Sequence, residues 1–127
     1  MTHIQNIATE KAPAAIGPYS QAVEVSGFIY TSGQIPLRLD GTFVDGDIEE
    51  QVAQVLANLD AVIQAAGAAR NQVVKSTIFM TDLAHFDKVN RAYGEFFGNH
   101  RPARSTVQVA ALPRGSKVEI ELVLCKA

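Results

Sequence analysis

The chain has 127 residues and a mass of 13.7 kDa, the size of one domain spanning residues 1–127, with room for a core but not for a deep private cavity. Its 47% hydrophobic content excludes disorder, and a net charge of −2 with a pI near 5.9 gives no electrostatic footprint for nucleic acid or an anionic membrane. No apolar run approaches the ~20 residues of a bilayer span, residues 1–11 lack the pattern of a secretory signal, and a lone Cys125 suits a reducing compartment, so the sequence predicts a cytoplasmic protein without nucleic-acid or membrane partners.

Ile4 to Ile7 reads as a short first strand, followed by a loop punctuated by Ala12-Pro13 and Gly17-Pro18. Val23 and Val25, then Phe28-Ile29-Tyr30, flank Ser26-Gly27, the pattern of a hairpin. The second of these strands runs into Thr31-Ser32-Gly33-Gln34-Ile35-Pro36, and Asp40-Gly41 marks a further turn. Asp47 with Glu50 three residues on resembles a capping box. Ile48, Val52, Val55, Leu56, Leu59, Val62 and Ile63 then keep helical spacing as far as Gly67. Residues 72–81, rich in β-branched side chains, predict a strand. Residues 82–98 predict a second helix with Leu83, Phe86, Val89, Tyr93 and Phe96 as its apolar stripe. Alternation over 104–109 and 117–124 supplies two last strands.

The order β–β–β–α–β–α–β–β makes an α+β fold of two layers, with two helices on one face of a mixed sheet of about six strands. Yet residues 73–80 are apolar on both parities, and Val123 and Cys125 oppose the Val118/Ile120/Leu122/Leu124 row. A sheet face of this kind does not stay bare in water. Charged residues are also only 19% of the chain, against about 25% in an average soluble domain. Both observations predict that other copies of the chain cover the second face.

No nucleophile elbow, Walker loop, dinucleotide fingerprint or H-x-x-x-H pair occurs. His3, His85 and His100 are scattered, with no spacing suited to a metal, and nothing near Cys125 supplies a base to activate it. Four polar features stand out instead. Arg104 shares a strand face with Thr106 and needs a partner, either a structural carboxylate or a ligand's. Glu119 and Glu121 alternate with an apolar row, so they form a solvated strand face or place one carboxyl in a pocket where desolvation raises its pKa. Asn90 lies beside the second helix's apolar stripe, where a buried amide would tie down backbone or ligand. Tyr19-Ser20 and Ser32-Gly33 bring hydroxyls and flexible backbone to the ends of strands. If the last two strands pair directly, Gln108 faces Glu119, and Arg104 lies on the same face about 13 Å away at ~3.4 Å per residue. Both would then reach one small ligand only from neighbouring copies.

Gly17-Pro18-Tyr19-Ser20-Gln21-Ala22, Thr31-Ser32-Gly33-Gln34-Ile35-Pro36, Asn90, Pro102-Ala103-Arg104-Ser105 and Val118-Glu119-Ile120-Glu121 together resemble the signatures of the RidA/YjgF family of reactive-intermediate deaminases, in order and over essentially the whole chain. The resemblance implies a chorismate-mutase-like fold and a homotrimer whose sheets form a central barrel, with three sites in the clefts between subunits. It implies hydrolysis of 2-aminoacrylate and 2-aminocrotonate, or their 2-imino acid tautomers, to 2-keto acids and ammonia, with no metal or organic cofactor. Carried over by position, Arg104 clamps the substrate carboxylate with help from backbone N–H groups near Gly33 and Thr106. Glu119 activates water, and Tyr19, Ser32 and Asn90 complete the pocket. Many bacterial relatives carry cysteine where this chain has Thr106, so thiol chemistry at that position is removed. Two other functions share the motifs: a module that binds small 2-keto acids without turning them over, and an RNA-cleaving activity that the acidic pI opposes.

Overall fold

The structure, a computed structural model, describes residues 3–126. Six strands and two helices follow the anticipated order: β1 (Gln5–Ile7), β2 (Ala22–Val25), β3 (Phe28–Thr31), α1 (Ile48–Ala65), β4 (Val73–Met80), α2 (Phe86–Phe97), β5 (Ala103–Gln108) and β6 (Val118–Cys125). Ser26 and Gly27 both adopt positive φ, 51° and 82°, the geometry of a two-residue turn whose twist matches its strands. It closes the β2–β3 hairpin with Val25 opposite Phe28.

The Asp47 carboxylate accepts a hydrogen bond from the Glu50 N–H at 2.9 Å, satisfying one of the free donors at the start of α1. All seven anticipated stripe residues of α1, from Ile48 to Ile63, are buried. In α2 the buried positions are Val89, Tyr93 and Phe97, a clean i, i+4, i+8 row, while Leu83 is 41% exposed. Leu83 falls in a short 3-10 turn that precedes the helix, so the predicted stripe began one turn too early.

The strand order is β1-β2-β3-β6-β4-β5. All neighbours are antiparallel except β4 and β5, which run parallel with α2 as their crossover. A parallel pair needs such a crossover, and a strand–helix–strand unit supplies one. This corrects the expected pairing of the last two strands. β6 lies in the centre of the sheet between β3 and β4, and β5 is an edge strand.

Register settles which residues share a face. Glu119 pairs with Phe79 and Phe79 with Val107, whereas Arg104 pairs with Ser76 and Ser76 with Leu122. Val118, Ile120, Leu122 and Leu124 join Ser76, Ile78 and Met80 in the buried layer beneath the helices. Arg104 and Thr106 therefore belong to the helix-covered side and Glu119 to the other, so the expectation that Arg104 and Glu119 share a face was wrong. On that other face Phe28, Tyr30 and Val107 are exposed. Phe79, Val123 and Cys125 are half-buried there. No helix among the described residues is long and apolar enough to cross a membrane.

Candidate active site

Two groups of polar residues flank the sheet. The first centres on Glu119, whose carboxyl lies over the backbone of Gly33. A Cβ at position 33 would come within 2.8 Å of the Glu119 carboxyl carbon, so any larger residue there would push the Glu119 side chain out of this position. The β3 extension is held there by a bridge in which the Gln34 N–H donates to Ile120 O at 2.9 Å. Glu119, Gly33, Ser32 and Tyr19 line one cavity of about 420 Å³ with Gln21 and Gln34. The Ser32 hydroxyl donates to Ser20 O at 2.6 Å, which ties β3 to the 17–21 loop. The Tyr19 ring remains 55% exposed.

Burial pushes the Glu119 carboxyl above its ordinary value of 4.5, and the neighbouring Glu121 carboxylate adds to the shift. Glu119 takes part in none of the ion pairs among the described residues. A carboxyl whose folded pKa is raised contributes stability that is intact below its unfolded value and lost as pH rises through the folded one. Glu119→Gln is therefore expected to match the parent in melting temperature near pH 4 and to exceed it increasingly toward pH 8, as read by calorimetry across that range. A difference independent of pH would contradict the shift.

The second group centres on Arg104. Its Nη1 donates to Asn90 Oδ1 at 2.7 Å, and its guanidinium carbon stands 5.0 Å from the Tyr93 ring centroid and 5.4 Å from that of Phe86. No carboxylate among the described residues pairs with it, so the structural ion pair is not its partner. The Tyr93 hydroxyl in turn donates to the buried Ser76 Oγ at 2.7 Å, and burial raises its pKa. Asn90 is exposed, unlike the buried amide read from its helical position, because its side chain projects over the sheet edge. Thr106, two residues along β5, keeps a buried hydroxyl oxygen with no hydrogen-bond partner.

Within one chain these groups stay apart. Arg104 and Glu119 are two strands and three residues away from each other, about 14 Å between backbones, and lie on opposite faces. Glu119, Gly33, Ser32 and Tyr19 come together, as do Arg104, Asn90 and Thr106. Sequence reasoning missed the residues that hold these groups. Gln21, only 4% exposed, accepts from the Thr9 N–H at 2.6 Å and donates to Thr9 O at 3.1 Å and Pro13 O at 2.7 Å, clamping the loop that walls the Glu119 cavity. Gln51 and Asn58 on α1 bond Val44 O and Leu37 O at 3.0 and 2.9 Å and hold the 34–46 excursion. The available signal was polarity on buried parities: Gln51 and Asn58 interrupt the apolar face of α1. His100 bonds Val73 O at 2.7 Å, and no group of three potential metal ligands occurs among the described residues.

Residues 9–125 match a family model described as Endoribonuclease L-PSP. The chain belongs to this family, the one its motifs resemble under the name RidA/YjgF. A RutC family protein of Pyrococcus abyssi is 47% identical over 94% of this chain and 95% of its own length. A mouse relative named 2-iminobutanoate/2-iminopropanoate deaminase is 51% identical over 92% of this chain and 87% of its own. The crystal structure of a Rid family protein from Yersinia pestis superimposes with a TM-score of 0.95 at 48% identity, covering 97% of this chain and 99% of the other. The sheet order and the two-helix layer are thus those of the RidA/YjgF fold.

Proposed function

We propose that the protein hydrolyses 2-aminoacrylate and 2-aminocrotonate, as their 2-imino acid tautomers, to 2-keto acids and ammonia. The observation that carries this reading is the half-buried Glu119 carboxyl over Gly33, raised in pKa and paired with no cation among the described residues. Such a group can take a proton from water and return it, which is the work imine hydrolysis requires. The imine carbon is already electrophilic, so orientation and proton transfer supply most of the rest. The deaminase name of the mouse relative, 51% identical, supports the same chemistry.

In this mechanism Arg104 anchors the substrate carboxylate, Asn90 and the backbone near Thr106 and Gly33 complete the anchor, and Tyr19 and Ser32 shape the opposite wall. Glu119 accepts a proton from water as the new C–O bond forms and the C=N π pair moves to nitrogen, giving a carbinolamine. Glu119 hands that proton to nitrogen to complete the neutral carbinolamine, then takes the hydroxyl proton and passes it to nitrogen as the C–N bond breaks, so that ammonia leaves as the C=O bond forms. The chain works as a homotrimer whose open sheet faces close on one another, with Arg104 of one copy meeting Glu119 of the next. Support for this comes from the exposed Phe28, Tyr30 and Val107 on that face and from the opposite-face placement of the two site groups.

The test generates 2-aminoacrylate with a dehydratase in the presence of semicarbazide, which traps free imine. Wild-type protein is expected to suppress semicarbazone and raise the rate of 2-keto acid release, and Glu119→Gln to lose that effect by roughly 10²–10⁴-fold, the usual contribution of general base catalysis. A variant that keeps full turnover would remove Glu119 from the chemistry. No turnover by wild type, with 2-keto acid affinity intact in Glu119→Gln, would make the protein a binder without catalysis.

A further inference from the structure

A cavity of about 420 Å³ opens on the α2 side of β5, lined by Asn90, Tyr93, Gly94, Arg101, Pro102 and Arg104, and its volume is in the range of small-molecule sites. Two guanidinium groups line it, and neither pairs with a carboxylate among the described residues. Arg101 is fixed from behind: its Nη1 donates to Gly98 O, the carbonyl that caps α2, and to His100 O just beyond the helix. That contact offsets part of its charge through the negative end of the helix and leaves its remaining donors uncommitted. Arg104 is fixed by Asn90 at 2.7 Å and by the Tyr93 and Phe86 rings. Both arginines act on the Tyr93 hydroxyl, favouring its ionised form against the effect of burial, so both charges converge on this one side chain.

We propose that this cavity holds a second acidic group of the substrate, and that the protein prefers dicarboxylic 2-imino and 2-keto acids to monocarboxylic ones. Arg104 takes the carboxylate next to the reacting carbon, and Arg101 takes the carboxylate at the far end of the molecule. A guanidinium fork matches one carboxylate edge. Two forks that line one cavity from separate positions in the chain therefore fit two carboxylates on one backbone better than one compact anion. The inference rests on the reading of Arg104 as the carboxylate anchor and adds to it the substrate class.

The test is calorimetric binding of 2-oxoglutarate and 2-oxopentanoate, which share chain length and differ in the second carboxylate. Wild-type protein is expected to bind 2-oxoglutarate about tenfold or more tightly, the effect of one added charge-assisted contact. In Arg101→Gln the ratio of the two affinities is expected to fall to near one, and in Arg101→Lys to an intermediate value, since the charge survives without the fork. Using the ratio within each variant cancels any weakening from a loosened α2 terminus. Equal affinities in wild type, an unchanged ratio in Arg101→Gln, or inorganic phosphate competing as strongly as 2-oxoglutarate would each overturn the proposal. Failure of the deaminase reading appears elsewhere, as absent turnover of 2-iminobutanoate while the affinity ratio stands.

Discussion

Arg104→Ala is expected to lower kcat/KM for 2-aminoacrylate by about a thousandfold, because two charge-assisted hydrogen bonds to the substrate carboxylate are each worth about 1.5–3 kcal/mol. The protein should stay folded. Arg104 is exposed on the edge strand, and among the described residues its side-chain hydrogen bond ends on Asn90, which is also exposed. A surface change of this kind shifts stability by about 0.5 kcal/mol or less. Arg104→Lys separates charge from shape: it keeps the cation but loses the fork and its fit between Tyr93 and Phe86, so only part of the rate should return. Turnover at the wild-type level in Arg104→Ala, with an unchanged melting temperature, would remove the proposed anchor.

What could be read from the sequence follows the range of the interactions involved. The α1 boundaries and the Ser26–Gly27 turn are set by residues within four positions of one another, and both appear where the pattern put them. The partner of β5 is a non-local choice, and adjacency in sequence pointed to β6. The strand–helix–strand run through α2 held the better clue, because a crossover of that kind makes β4 and β5 parallel neighbours. The error carried into the site. With β4 inserted, the parity that links Arg104 to Ser76 and Glu119 to Phe79 puts the two charged groups on opposite faces. The candidate residues could be named from short motifs, but their division into two groups could not: Gly33 meets Glu119 rather than Arg104, and Asn90 meets Arg104 rather than Tyr19 and Ser32, contacts between strands and helices far apart in the sequence. Gln21 was not legible either, since its task of bonding the backbone of residues 9–13 exists only once the loop has folded over it.

The low charged fraction, 19%, is consistent with the proposed assembly of copies. The open face of the sheet carries Phe28, Tyr30 and Val107 exposed, on the same side as Glu119 and away from the helices. A face of that composition is suited to burial against copies of itself. Its position also answers the problem left by the two separated groups, because the edge strand β5 and the central strand β6 of one chain cannot bring their site residues to one ligand. A neighbour packed on the open face can offer its own edge to the Glu119 cavity.

Mixing two inactive variants tests that arrangement directly. Arg104→Ala supplies a sound Glu119 half-site and Glu119→Gln a sound Arg104 half-site. Co-refolded in equal amounts into random cyclic trimers, an interface is competent only when the Arg104 half comes from a Glu119→Gln subunit and the Glu119 half from an Arg104→Ala subunit. Each condition holds half the time, so about a quarter of wild-type activity is expected to return. A site built within one chain returns nothing, since every subunit in the mixture lacks one of its own two groups. The double variant carried on a single chain and mixed with wild type gives the complementary control. Wild-type subunits then keep activity only where they neighbour one another, so specific activity falls with the square of the wild-type fraction rather than in proportion to it. A linear fall, or no recovery in the first mixture despite trimers by sedimentation, would place both groups in separate roles within one subunit.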